Sequence, residues 1–259
     1  MQSIRPELQA AGFALYAVSY DSVEVLNSFA VKHGVDYPLL SDEGSQVIRS
    51  LGILNEAAAE TVFGIPHPGT FVLNEDGTVR NKQFYSSYRE RDSGVGVLEH
   101  LLGLDSGTHG TMDEAETTGV TVRGWFDKDT YAWGQRIWLT VELQIGDGLH
   151  VYGRPIPEGY YPLAVEIEPL ERLIIGEAEF PAAVPFRVKG LDARFHVYEG
   201  CVRVRVPVTF MLVDGGTLEI GFNVSFQACS ASECFVPQSV RLVLPIRELS
   251  LVDRPEQRT

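Results

Sequence analysis

Cysteine is scarce in this chain: there are three, at positions 201, 229 and 234, and none in the first two hundred residues. That excludes a disulfide-stapled scaffold, which needs several bridges in place of a large core. Cations are also in short supply. Lys and Arg number 21 against 35 Asp and Glu, a formal net charge of −14, which argues against nucleic acid and anionic membrane surfaces as partners. The acidic residues are scattered, so the charge serves solubility. No apolar run approaches the ~20 residues that a membrane-spanning helix needs. Met1 to Leu8 contains Arg5 and Glu7 and no apolar signal core, so the chain as written reads as cytoplasmic. The six histidines (His33, His67, His100, His109, His150 and His196) lack ligand spacing, so no metal site is expected. No phosphate loop, nucleophile elbow or His-Glu-x-x-His pair points to a cofactor or a hydrolase. Gly94-Val-Gly96 lacks the third glycine of a dinucleotide loop, and the glycosylation-like Asn223-Val-Ser225 falls in mid-strand.

What is present is the composition of a globular protein, 44% hydrophobic and 22% charged, in 259 residues, enough for two ordinary domains. Residues 1–104 alternate helix and strand. Ile4, Leu8 and Ala11 share a helical face that Gly12 ends. Phe13 to Tyr20 is a continuous apolar run, as a buried parallel strand requires. Asp21 or Ser22 can cap a helix carrying Val25, Leu26, Phe29 and Ala30, which stops at His33-Gly34. Ser41-Asp-Glu-Gly starts a short helix with Val47, Ile48 and Leu51 inward. Gly69 to Asn74 and Thr78 to Tyr85 are strands around the turn Asn-Glu-Asp-Gly77, and a last helix spans about Arg89 to Leu102, with Val97, Leu101 and Leu102 inward.

Residues 105–116 hold almost nothing to bury and read as a flexible linker. From Val120 the apolar period becomes two. Ile137, Leu139, Val141 and Leu143 alternate with polar neighbours, and similar runs occur at 149–152, 163–168, 173–179, 201–210, 217–228 and 240–246. Some seven short strands without helices predict an immunoglobulin-like β-sandwich over 117–259.

Two cysteines fall near the end of this β-rich half, in Phe226-Gln-Ala-Cys-Ser-Ala-Ser-Glu-Cys-Phe-Val-Pro237. If both flanks are strands, a short loop places Cys229 and Cys234 face to face within disulfide reach. Leu218, Ile220, Phe222, Val224, Phe226 and Ala228 share one phase and Cys229 the other, so Cys229 is expected to point outward. So small a ring stabilises a fold by only roughly 2 kcal/mol, which suits a reactive pair better than a staple. The sequence does not fix which sulfur attacks. Glu233 would raise the pKa of its neighbour Cys234, which favours Cys234 as the shielded, resolving partner. Cys201 shares its phase with Arg203 and Arg205. A nearby Arg would lower its pKa, and the plainer reading is a half-exposed spare thiol.

In its motifs the first half resembles the AhpC/TSA (peroxiredoxin-like) branch of the thioredoxin-like superfamily. They are Tyr16-Ala-Val-Ser-Tyr-Asp21, Tyr37-Pro-Leu-Leu-Ser-Asp42 and Ile65-Pro-His-Pro-Gly-Thr-Phe-Val-Leu-Asn-Glu-Asp-Gly77. By its place before Thr70-Phe-Val-Leu, Pro68 resembles the family's cis-proline, which implies a cis bond there and a substrate-positioning role. The family's first strand and cysteine-bearing turn are absent. In its sheet order that strand lies between Phe13–Ser19 and Gly69–Asn74, so two buried edges would lose their ladder partners. The expectation is an N-terminally incomplete chain whose missing turn holds Cys or selenocysteine. The alternative is a degenerate domain that lost its site.

The second half resembles the N-terminal domain of the thiol:disulfide interchange protein DsbD. The resemblance rests on Phe226–Pro237 and, more loosely, on Gly148-Leu-His-Val-Tyr-Gly153 and Tyr198-Glu-Gly-Cys-Val-Arg-Val-Arg-Val-Pro207. It implies that Cys229 and Cys234 are the redox pair and that an aromatic loop shields them. Phe195 and Tyr198 lie in the plausible segment. An extracytoplasmic home follows if an N-terminal signal is missing. The combined expectation is a thiol–disulfide oxidoreductase, serving a thiol/disulfide redox protein or a peroxide-type substrate. The alternative is a non-catalytic binding module with a structural disulfide and an inert thioredoxin-like scaffold.

Overall fold

The computed structural model describes residues 1–58, 64–85, 87, 90–104, 106–107, 109–187, 194–211 and 216–249. The chain divides into two compact units, Met1–Gly107 and Thr108–Thr259. Among the described residues no helix is long and apolar enough to cross a membrane.

The first unit runs α1 (Arg5–Ala10), β1 (Ala17–Ser19), α2 (Val23–His33), β2 (Leu39–Ser41), α3 (Gln46–Ser50), β3 (Gly69–Leu73), β4 (Val79–Phe84), β5 (Arg91–Asp92) and α4 (Gly94–Gly96), which continues into a π-helical turn, Val97–Leu101. Local chemistry sets the helix ends. Ser22 caps α2 by accepting the Val25 amide, and Gly34 closes it in the left-handed region at φ 62°. The Asp42 carboxylate accepts the amides of Gln46 and Ile48, both at 2.9 Å, and these bonds hold its pKa below the usual carboxylate range. β1 and β2 pair in parallel and β3 and β4 pair antiparallel, as two separate ribbons. A small core joins Ile4, Leu8, Val72, Val97, Leu98 and Leu101.

Two inward assignments in this unit do not hold: Ile48 is buried, but Val47 and Leu51 are each about half exposed. On α2 Leu26 is buried, while Val25 and Phe29 are also about half exposed. Two narrow ribbons cannot cover every apolar face that the helices present. The peptide bond before Pro68 is trans; the cis bond among the described residues is Arg154–Pro155. The His67 amide donates to the Ile53 carbonyl at 2.7 Å and the Tyr85 amide to the Pro68 carbonyl at 3.0 Å, so both residues of that trans bond are tied into the backbone hydrogen bonding. Arg89, the expected start of the last helix, lies outside the described residues.

The second unit runs β6 (Met112–Glu116), β7 (Val120–Phe126), β8 (Thr130–Tyr131), β9 (Gln135–Ile145), β10 (His150–Tyr152), β11 (Ala164–Ile167), β12 (Leu173–Ile175), β13 (Val184–Phe186), β14 (Phe195–Tyr198), β15 (Cys201–Phe210), β16 (Thr217–Phe226), β17 (Ala228–Cys229) and β18 (Gln238–Glu248). One sheet has the order β12-β15-β9-β7-β6 and a second β11-β16-β18-β8. Val122, Leu139, Val141 and Val204 from the first meet Phe222, Val224, Leu242 and Leu244 from the second in one core. This is the sandwich that a period of two demands.

The flexible linker expected over 105–116 is a strand at its C-terminal end. Met112–Glu116 pairs with Thr121–Trp125 of β7, Glu114 pairs with Arg123, and the Asp113 carboxylate accepts the Val243 amide at 2.9 Å. An edge strand needs ladder bonds and charge pairs more than apolar side chains, so its composition mimics a linker.

A third sheet, β13-β14-β10-β17, is the one that matters for the cysteines. One of its faces carries Val151, Tyr198 and Ala228 into the sandwich core. The other carries Tyr152, Phe195, Val197 and Cys229 into a separate small core, covered by Ile156, Tyr160 and Phe186.

Candidate functional site

The cysteine hairpin is built by backbone and serine chemistry. After Ala228 and Cys229 the chain turns over Ser230–Glu233. The Ser230 amide donates to the Glu233 carbonyl at 2.8 Å and the Phe235 amide to the Ala228 carbonyl at 2.9 Å. Ser230 Oγ accepts the amides of Ser232 and Glu233 at 3.2 and 3.1 Å, fixing the turn from inside. Gln227 Nε2 donates to the Phe235 carbonyl at 3.0 Å, tying the second arm to β16. Cys229 and Cys234 thereby occupy a non-hydrogen-bonded antiparallel pair. Their Cα atoms lie 4.0 Å apart and their sulfurs are bonded.

The two sulfurs differ in access. Cys234 is exposed, whereas Cys229 is 1% exposed. β10 pairs with β17 so that His150 stands opposite Cys229, and residues opposed across a ladder share a face. Tyr152, two residues on, shares that face. Its ring lies 5.4 Å from Phe195 and 5.2 Å from Tyr160, centroid to centroid, and the Tyr160 and Phe195 rings meet edge-on at 4.9 Å. The Tyr152 hydroxyl lies 3.4 Å from Cys234 Sγ. A disulfide sulfur carries no hydrogen, so the hydroxyl donates. Burial pushes the Tyr152 phenol above its ordinary value, with Tyr160 adding to the rise, so that donor stays protonated at neutral pH.

These positions correct the sequence-based expectations for the two sulfurs. Cys229 does not point outward, and Cys234, not Cys229, is the accessible one. The alternation itself held, since Ala228 faces the main core and Cys229 does not. What failed was the step from "away from the core" to "in solvent", because a second aromatic layer covers that face. Phe195 is part of the cover. Tyr198 is not; it packs in the main core, with its hydroxyl donating to the Pro181 carbonyl at 3.2 Å. Pro68 belongs to the first unit, and with a trans bond the reason for giving it a positioning role falls away. Cys201 is exposed and free. Its thiol is pushed up by burial and then by Glu142, against smaller opposing effects of Arg203 and Arg123, so the expected activation by arginine is outweighed. His150, Tyr152, Tyr160 and Phe186 were missed. The available signal was the alternation of His150 and Tyr152 within Gly148–Gly153, directly before a turn. Among the described residues no group of three or more His, Cys, Asp or Glu is placed to hold a metal ion.

His150 is 4% exposed and its ring packs 4.4 Å from Phe186. Burial lowers its pKa from 6.5, partly opposed by Glu199. The unfolded chain therefore takes up this proton before the folded one does. Stability attributable to His150 is intact above about 6.5 and falls as the pH drops below it. Denaturant unfolding followed downward from neutral pH is expected to lose stability more steeply in the parent chain than in His150→Phe. Parallel curves would contradict this.

Residues 1–82 match the AhpC/TSA family, and residues 125–245 match the family described as thiol:disulfide interchange protein DsbD, N-terminal. The putative peroxiredoxin bcp of Haemophilus influenzae is 27% identical over 106 residues, covering 40% of this chain and 66% of that protein. Peroxiredoxin Bcp of Escherichia coli K12 is 35% identical over 77 residues, covering 29% and 49%. The chain thus spans 66% and 49% of the length of these two relatives. Among solved structures, the reduced DsbD N-terminal domain of Neisseria meningitidis aligns at 16% identity and a TM-score of 0.31, covering 42% of this chain and 77% of that one. The N-terminal periplasmic domain of ScsB from Proteus mirabilis aligns at 14% and 0.38, covering 52% and 49%. The first unit resembles the AhpC/TSA branch of the thioredoxin-like superfamily and the second the N-terminal domain of DsbD. The two resemblances together support a thiol–disulfide redox function in general.

Proposed function

We propose that the protein exchanges electrons with a thiol or disulfide partner by opening and closing the Cys229–Cys234 bond. The observation that carries this reading is one exposed and one buried sulfur joined across a four-residue turn. Exchange requires an accessible sulfur and a leaving thiolate held where it can return. A partner thiolate attacks Cys234 Sγ, the Cys229 sulfur leaves with the bonding pair, and a mixed disulfide forms on Cys234. A second partner thiolate then releases Cys234, so the pair gains two electrons and the partner is oxidised. In reverse, Cys234 attacks a partner disulfide and Cys229 closes the ring. The Tyr152 hydroxyl steadies charge on Cys234 in both directions.

Relatives of the first unit are named peroxiredoxins, which suggests peroxide as a substrate class for that type of domain. Residues 1–104 hold no cysteine, so the sulfur chemistry of this chain rests on the sandwich. A redox protein that docks on the thioredoxin-like unit would meet the disulfide at raised effective concentration, because the two units share one chain.

The burial of Cys229 is the one observation that favours a permanent clip instead. Equilibration of the pair against glutathione and dithiothreitol buffers decides between the two. A working exchanger is expected between about −180 and −300 mV, and a value well below about −300 mV would identify a clip.

A further inference from the structure

Of the buried polar groups around the hairpin, His150 is an ionisable one that the exchange reading leaves unused. His150 Nε2 is fully enclosed and has no hydrogen-bond partner. An unpaired buried nitrogen is costly, so its setting needs a reason. The residue stands opposite Cys229 in the β10–β17 register, on the same face of the sheet. In the disulfide form Cys229 Sγ has no proton to offer it. Once the pair is reduced, the same sulfur carries a proton or a negative charge inside an aromatic core that cannot solvate either well.

We propose that His150 is the proton partner of Cys229, accepting the thiol proton on its free ring nitrogen so that the buried sulfur becomes a thiolate when the ring closes. The inference rests on the exchange reading above and deepens it by assigning the proton. In the closing direction, partner sulfur is bonded to Cys234. Cys229 gives its proton to His150 and its sulfur pair attacks Cys234 Sγ. The Cys229–Cys234 bond forms, the bond to the partner breaks, and the partner leaves as thiolate and takes a proton from solvent or from His150. In the opening direction neutral His150 takes the proton of the attacking partner thiol and passes it to the departing Cys229. The lowered pKa of His150 keeps its ring neutral, and so able to accept, near neutral pH.

The other ionisable groups around this ring do not duplicate the task. On its own strand Tyr152 is held protonated and engages Cys234. Tyr160 packs against Tyr152. From the β14 side Glu199 acts on His150 by charge alone and stabilises the imidazolium that the transfer creates. β13 contributes the uncharged Phe186, and β17 contributes Cys229 itself.

The test measures ionisation, not turnover, so it stands even if the exchange reading fails. In a Cys201→Ser/Cys234→Ser chain, Cys229 is the single thiol, and its thiolate absorbance is followed against pH. The thiolate fraction near neutral pH is expected to be about tenfold higher with His150 than in the same chain carrying His150→Phe, as expected of a thiol beside a basic imidazole. Equal fractions in two folded chains would overturn the proposal. Should His150→Phe not fold, nuclear magnetic resonance of the wild-type imidazole decides. Its titration is expected to move upward on reduction of the disulfide, and an identical titration in both states would overturn the assignment. A failed exchange reading looks different: the potential lies at the clip value while the His150–Cys229 coupling persists.

Discussion

A Cys229→Ser chain should capture a disulfide-bearing reagent as a stable mixed disulfide on Cys234 at least about a hundredfold faster than a Cys234→Ser chain captures it on Cys229. Both are compared with Cys201→Ser added, since Cys201 is exposed. The asymmetry follows from access. Cys234 stands exposed at the end of the turn with a hydroxyl donor 3.4 Å from its sulfur. Cys229 is enclosed by Tyr152, Phe195 and Val197, and it reacts with an outside sulfur only when that small core opens. Each ~1.4 kcal/mol of local opening slows such a reaction tenfold, and opening a packed aromatic cluster costs several times the thermal energy. Mass spectrometry of the adduct over time gives both rates. Equal rates would mean that the aromatic cover opens freely, and faster capture on Cys229 would reverse the assigned roles. The chain with Cys229 replaced is the more useful of the two, because its mixed disulfide has no second thiol to resolve it and so retains the partner.

Much of the second unit was legible because a sandwich strand writes its burial into every second residue. Ile220, Phe222, Val224 and Phe226 face the core as their phase requires. The short β13 and β14 were not read as strands. β13 is a three-residue edge that is largely exposed and has no alternation to read, and β14 lies where both faces of its sheet are covered, so that alternation separates one core from another instead of core from solvent. That is also why Cys229 was assigned to solvent. β6 escaped for the opposite reason: Asp113, Glu114 and Glu116 contribute ladder bonds and charges at an edge, and nothing in their hydropathy marks a strand. In the first unit Ser22, one of two candidate caps, and the stop at Gly34 were readable from residue type, and the start of α3 was placed at Ser41–Gly44, a few residues before its observed N-cap Ser45. The inward face of α2 was not, because periodicity tells which residues share a face and not whether another surface meets it. Val25 and Phe29 remain half exposed beside two short ribbons.

The aromatic cover predicts the other large effect. Phe195 is fully buried, with Tyr152 and Tyr160 packed on it. Replacing it by Ala removes the ring and leaves a cavity that its stacked neighbours fill only in part, at a cost of about 3–5 kcal/mol. For a unit of this size that lowers the melting temperature by about 10 °C, readable by calorimetry. A clip and a switch part company in a second measurement. Dithiothreitol attacks the exposed Cys234, so the cover acts on the leaving sulfur: if it keeps water from the departing Cys229 thiolate, the same substitution raises the rate at which the disulfide opens at least about tenfold, measured well below the melting transition. If the disulfide is opened only through global unfolding, the opening rate follows the change in stability and disappears when a stabilising osmolyte restores the melting temperature. The osmolyte control separates these routes because excluded cosolutes strengthen burial throughout the fold but cannot rebuild a missing ring over one sulfur. An opening rate that stays elevated under restored stability would place the gate in the Tyr152–Tyr160–Phe195 cluster, and a rate that returns to the parent value would assign the cluster to stability alone.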